Sequence, residues 1–316
     1  MEKRVATRVA YGEALCEFGA DERIVVLEAD LAECTMSGIF GKKYPERFLE
    51  MGIAEANMIT AAAGFSTTGK IVFCHSFAVF TAGRGYDQIR NSCAYPCLNV
   101  KIVGSHAGLT VGKDGATHQM LEDLSLMRTL PNMVVLSPCD VRETRAAVRA
   151  MIDYDGPCYL RTSRFPTSQA TDAVADYHFE LGKGVIMKEG TDVTVIATGT
   201  MVEVALKAVT QLSSAGICAR LIDMHTIKPL DKELILESAK KTGAIVTCEE
   251  HNVIGGLGSA VSEVVCEVYP VPVLKVGVMD RFGRSGDAEE LLAYYGLTTE
   301  KIIERVYEAL AFKQAR

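Results

Sequence analysis

Short runs of β-branched apolar residues alternate along this chain with segments of helical spacing, and that alternation restricts the fold more than any other feature. Uninterrupted apolar runs suit strands whose sheet is covered on both faces, so the pattern predicts an α/β architecture with mainly parallel sheets covered by helices. In the first half the strand candidates are RIVVLEAD (23–30), KIVFCHSF (70–77), LNVKIVGS (98–105), MVVLSP (133–138) and PCYLRTS (157–163). Helical spacing marks AEANMITAAAGF (54–65), GYDQIRNS (85–92) and VRETRAAVRAMI (141–152) between them.

The stretch 165–184 is polar, carries turn formers and has no clean period, which predicts a linker or a loop with a short hairpin. The alternation then resumes with DVTVIATG (192–199), a helical segment closed by Gly216, strands at 218–225, 243–250 and 273–278, and a terminal helix at 299–310. Two α/β domains are expected, residues 1–170 and 191–316, joined by a linker at 171–190. A chain of 316 residues gives each enough length to bury its own core.

Composition narrows the function class. A net charge of −7 opposes general binding to nucleic acid, which needs basic surface to displace counterions from phosphates. No apolar stretch is long enough to cross a bilayer, and the charged start MEKRVATRVAYGEAL lacks the apolar core of a secretory signal, so a cytoplasmic location is expected. The ten cysteines lie mostly in apolar runs and read as buried free thiols; Cys93 and Cys97 have no second pair to complete a zinc site, and no structural metal is expected.

Ligands of parallel α/β domains sit beyond the carboxyl ends of the strands, so the polar residues that follow strands directly are the candidates. Asp30 ends the first run and opens a loop with Leu31, Cys34 and Thr35. Ser105 and His106 end the third, followed by a glycine-rich loop, GLTVGKDGATHQ (108–119), and Arg161 and Arg164 end the fifth. Each has a bland reading: Asp30 as a cap or turn residue, Arg164 as a surface ion-pair partner. The loop is a poor nucleoside-triphosphate cradle, because Lys113 is followed by Asp114 rather than Ser or Thr. Glu55 begins a helical segment that is almost wholly apolar. It reads either as a first-turn carboxylate favoured by the helix dipole or as a shielded carboxyl that shares a proton with a ligand nitrogen. Phe77 and Phe80 read as core packing, or as a face for a heteroaromatic ring.

The segments ATRVAYGEAL (6–15), MGIAEANM (51–58), the aromatic pair before GRGYDQIR (83–90), GSHAGLTVGKDGATHQ (104–119) and CYLRTSRFP (158–166) resemble transketolase in order and spacing. HTIKPLD (225–231) and EEHNVIGGLGSAVSE (249–263) are similar to the C-terminal domain of the same enzymes, so the resemblance covers nearly the whole chain. The family's Gly-Asp-Gly motif, which holds the diphosphate and a divalent metal in a preceding domain, is missing. The resemblance therefore implies the second subunit of a split transketolase, with thiamin diphosphate as cofactor and Mg²⁺ held by a separate N-terminal subunit. Two copies of each subunit are expected.

By resemblance, Glu55 matches the carboxyl that hydrogen-bonds the pyrimidine nitrogen, Phe80 the aromatic that stacks on that ring with Phe77 behind it, and Leu31 a residue lining the thiazolium. Arg8, His106 and Arg164 match positions that bind the sugar phosphate, Asp114 one that contacts a sugar hydroxyl, Asp30 one that lines the substrate channel, and His118 one near the reacting carbons. Cys34 stands where many relatives have a phosphate-binding serine. Either Thr35 substitutes for it, or the phosphate is held less well, or the sugar differs. The implied activity is transfer of a two-carbon ketol unit from a ketose phosphate to an aldose phosphate, in pentose-phosphate metabolism or in uptake of an unusual sugar. Rival readings are the β subunit of a 2-oxoacid dehydrogenase E1, a deoxyxylulose-phosphate synthase, and a non-catalytic assembly subunit. A nicotinamide-dependent dehydrogenase rests only on the incomplete glycine fingerprint GGLGSA (255–260).

Overall fold

The computed structural model describes residues 4–315. A seven-stranded sheet runs in the order Thr226–Lys228, Val134–Leu136, Cys158–Arg161, Val100–Ser105, Ile71–Phe77, Ile24–Glu28, Phe48–Glu50, all parallel except its first edge strand. A five-stranded sheet runs Val273–Val278, Ile245–Asn252, Val193–Ala197, Ala219–Asp223, Val185–Lys188, parallel except for its last edge strand. The central strands are buried along their whole length, which is why Ile24–Glu28 and Val193–Ala197 are written mostly in β-branched and other apolar residues. Antiparallel Val5–Ala6 and Pro166–Thr167 form a small separate ribbon.

The five expected strands of the first half and the helices Glu55–Ser66 and Val141–Asp153 form where their periodicity placed them. The segment at 85–92 differs. Its short helix Tyr86–Gln88 lies between two π-helical turns, Val79–Arg84 and Ile89–Ala94. Such wide turns are rare and recur at functional sites, where the extra residue re-aims side chains.

Several contacts join the two sheets' units. The strand Thr226–Lys228 comes from the second half of the chain yet pairs with Val134–Leu136 of the first sheet. Arg161, buried, donates to Asp123 at 2.9 Å and to the carbonyl of Glu250 at 2.8 Å, which removes it from the candidate ligand set. Around buried Asp223, the Cys139 thiol donates at 3.3 Å, and Tyr177 donates to nearby Glu143 at 2.6 Å. Burial, and then the Glu143 carboxylate, push the Asp223 carboxyl well above its ordinary range. Cys139, Glu143 and Asp223 thus form a dry cluster in which a thiol and a phenol donate to the carboxylates, while Asp223 Oδ1 is buried without a hydrogen-bond partner.

All ten cysteines are free, but they are not uniformly buried: Cys34, Cys97, Cys218 and Cys266 are exposed. Cys266 shows the reason, since its apolar run VVCEV turns out to be helical and carries it to the outer face of Leu257–Val268. Among the described residues no helix is long and apolar enough to cross a membrane.

Candidate active site

Four strands of the large sheet end at one rim, and their exits set the site. Asp30 and His106, the residues just beyond Ile24–Glu28 and Val100–Ser105, both turn in the left-handed region, with φ of 59° and 56°. Non-glycine residues seldom adopt that conformation, and it turns the chain sharply away from the sheet at both exits. The Asp30 N–H is held at 2.6 Å by Glu50 from the neighbouring strand, while Asp30 itself stays exposed.

An aromatic and imidazole stack builds one wall. Phe77 lies 3.9 Å from His106 between ring centroids, with planes 23° apart, and 5.8 Å from Phe80 at 11°. His118 meets the edges of Phe77 and Phe80 at 6.2 and 5.4 Å. Phe77 is buried behind the half-buried Phe80, so Phe80 is the ring with a face to offer. Arg84 covers that face, its guanidinium carbon 4.2 Å from the ring centroid.

Glu55 opens the helix Glu55–Ser66 and is only 4% exposed. A buried carboxylate is costly without a partner. Arg84 supplies one, with Nη1 2.9 Å from Oε1. One planar group thus stacks on Phe80 and donates an N–H to Glu55. That is the pair of contacts an aminopyrimidine protonated on its ring nitrogen would make, so the residues present fit such a ring. Sequence reading passed over Arg84 as a site residue, although it lies in the segment GRGYDQIR (83–90) that carries the resemblance.

The cations converge on His106. The Arg8 N–H donates to Ser163 O at 3.3 Å, placing Arg8 beside Arg164, and Arg8 Nη1 donates to Cys34 O at 2.5 Å. Arg164 Nη1 reaches Val111 O at 3.2 Å and Asp114 Oδ2 at 3.4 Å. Burial, with Arg8, Arg164 and His118 nearby, pushes His106 down to about 3, so its ring is neutral at physiological pH. Ser105 Oγ lies 2.8 Å from His106 Nδ1; if that hydroxyl donates, the ring proton sits on Nε2. His118 has Thr117 Oγ1 2.9 Å from its Nδ1. Of these groups Asp114 and Arg164 line a cleft of about 350 Å³, together with Val111 and Lys113.

Thr35 does not join them. It is 1% exposed, and its hydroxyl donates to Glu28 Oε2 at 2.7 Å, where Ser37 also donates at 2.5 Å. Thr35 therefore cannot replace the missing serine; exposed Cys34 is the residue of that pair facing outward. Leu31, half-buried, caps the same turn, Ala32–Thr35. Glu28 was missed in the sequence because it reads as one more residue of a strand. Burial pushes it up to about 7 against the hydrogen bonds from Ser37 and Thr35.

The second glycine-rich segment holds no anion site. Glu249 accepts from the N–H groups of Leu257 and Gly258 at 2.7 and 2.8 Å, filling the helix N-terminus where a dinucleotide would place its pyrophosphate.

The family model described as transketolase, pyrimidine binding domain, matches residues 3–167, and that of the transketolase C-terminal domain matches residues 182–302. A Methanocaldococcus jannaschii chain assigned as a transketolase C-terminal section is 49% identical over 305 residues, 96% of either chain. A 6-deoxy-6-sulfo-D-fructose transketolase subunit of Clostridium sp. (strain MSTE9) is 44% identical over 310 residues, 98% of this chain and 96% of its own. A solved structure described as a split gene transketolase, inactive beta4 tetramer, matches with a TM-score of 0.89 at 50% identity, covering 98% of this chain and 100% of that one.

Proposed function

The chain belongs to the transketolase family, and from that premise we propose that it is the second subunit of a split transketolase that moves a two-carbon ketol unit between phosphorylated sugars. The partner is an N-terminal subunit that holds the diphosphate and Mg²⁺. The observation that carries the reading is the seat formed by Glu55 and Phe80, which Arg84 occupies with a 2.9 Å hydrogen bond and a 4.2 Å stacking distance.

Bound thiamin diphosphate would supply a carbon nucleophile and an electron sink for the two-carbon unit. Glu55 would hold a proton at the pyrimidine ring nitrogen, a task suited to a carboxyl sheltered from water. Phe80, backed by Phe77, would orient the ring by stacking, and Leu31 would line the thiazolium side. Arg8 and Arg164 would pair with a sugar phosphate, since guanidinium forks match its oxygens. Neutral His106 would add a directional hydrogen bond rather than a third charge. Asp114 would accept from a sugar hydroxyl, Asp30 would line the approach, and His118, beside Phe80, would move a proton near the reacting carbons. With Thr35 turned inward, the phosphate end has a thiol, Cys34, and two arginines. A sulfonate would fit the same cations, and the Clostridium relative is named for a sulfonated sugar.

The test is reconstitution. This chain, mixed with an N-terminal transketolase subunit, thiamin diphosphate and Mg²⁺, is expected to transfer ketol units between sugar phosphates, while the chain alone turns over nothing. A complex that decarboxylates a 2-oxoacid but transfers no ketol unit would replace the reading with that of a dehydrogenase subunit.

A further inference from the structure

The loop 108–119 carries Asp114 and His118 and is tied internally by Gln119 Nε2, which donates to Leu109 O at 3.2 Å and Gly112 O at 3.1 Å. Gly108, Gly112 and Gly115 all take positive φ, 87°, 81° and 79°, where glycine is the residue at ease. Ties from the other unit of the molecule add to those internal bonds. Glu250, in the strand Ile245–Asn252 and 1% exposed, accepts the Thr110 N–H on Oε1 at 2.7 Å. Its second oxygen accepts from the Thr200 hydroxyl at 2.8 Å, and its carbonyl accepts from Arg161 at 2.8 Å. A Cβ at Gly108 would lie 2.3 Å from Oε1, so the glycine admits the carboxylate to the loop. Two further ties come from the same half of the chain: Gln119 Nε2 donates to Arg284 O at 3.0 Å, and Ser285 Oγ donates to Lys113 O at 2.6 Å.

We propose that Glu250 is a positioning residue: it holds the 108–119 loop in the shape that presents Asp114 and His118 to the sugar, so the C-terminal unit sets the substrate geometry of the first. This rests on the transketolase reading for its consequence, not for the contact itself. The anchored Thr110 precedes Val111, whose carbonyl takes Arg164, so release of the loop would disturb the phosphate-facing arginine as well.

Two readouts separate the contact from the function. In the full chain, amide exchange over 108–119 is expected to quicken about tenfold or more in Glu250→Ala, since the Thr110 N–H loses its buried acceptor. Glu250→Gln, which keeps an oxygen for Thr110, is expected to restore most of the protection. In the complex with the N-terminal subunit, Glu250→Ala should raise KM for the ketose phosphate about tenfold or more while thiamin diphosphate affinity stays within about twofold, because misplacement of the substrate contacts is costly by itself. Unchanged exchange in Glu250→Ala would overturn the proposal, as would equal losses of cofactor and substrate affinity with no rescue by Gln. Should Glu250→Ala fail to fold, Thr200→Val removes only the hydroxyl on Oε2 and is expected to quicken exchange in the same loop by about threefold; no change there would also overturn it. A wild-type complex without ketol transfer would sink the transketolase reading and leave the exchange to decide the contact.

Discussion

Arg84 sets one guanidinium against both halves of the proposed cofactor seat, with Nη1 2.9 Å from the buried Glu55 carboxylate and its central carbon 4.2 Å from the Phe80 ring centroid. A ring that needs both contacts must displace it. Because Arg84 is half exposed, the pair holds the seat closed only weakly, by about 0.5–1 kcal/mol. Arg84→Ala is therefore expected to tighten thiamin diphosphate binding in the reconstituted complex by about two- to fivefold. Titration calorimetry showing weaker binding would make Arg84 a ligand of the cofactor rather than a placeholder.

Glu28 gives a pH signature of stability. Burial raises its folded value to about 7 from an ordinary 4.5, so between those limits the folded chain keeps a proton that the unfolded chain has released. Stability is then highest below about pH 4.5 for this group and is lost as pH rises to about 7, by about 3 kcal/mol in all. Glu28→Gln removes the titration. Urea unfolding should show the variant gaining on the parent across that window; a gap independent of pH would mean Glu28 stays ionised throughout.

His106 should behave as a neutral group. With its value pushed down to about 3 by burial and by Arg8 and Arg164, its ring resonances should not move between about pH 5 and 8 in an NMR titration. A midpoint near the ordinary histidine value would make it a third cation at the phosphate end.

Arg164 separates phosphate binding from sugar binding. Loss of one charge-assisted pair, about 1.5–3 kcal/mol, predicts that Arg164→Ala raises KM about ten- to a hundredfold for phosphorylated ketoses and little for unphosphorylated ones. Equal effects on both substrates would remove Arg164 from the phosphate site.

Much of this arrangement was legible in the sequence because it follows from local pattern. Ile24–Glu28, Ile71–Phe77 and Val100–Ser105 are buried on both faces and written accordingly, and the residues at their exits meet at one rim. The stack of Phe77 on His106 joins segments that local order alone had put at one rim. What escaped were partners distant in sequence. Thr226–Lys228 pairs with a strand about ninety residues earlier, and no local period records a strand that short. Arg84 meets Glu55 across 29 positions, and Glu250 meets Thr110 across 140. Thr35 was placed beside the phosphate by adjacency to Cys34, but a helical turn points neighbours in different directions, and its hydroxyl went to Glu28 instead.

The most direct measurement is the turnover of Glu55→Gln in the reconstituted complex with thiamin diphosphate bound. Glutamine keeps the shape of the side chain but cannot give up or take a proton at the ring nitrogen. The expected result is a kcat lower by about 10²–10⁴-fold with the cofactor still bound and the fold intact. Turnover near that of the parent would contradict the account at its root.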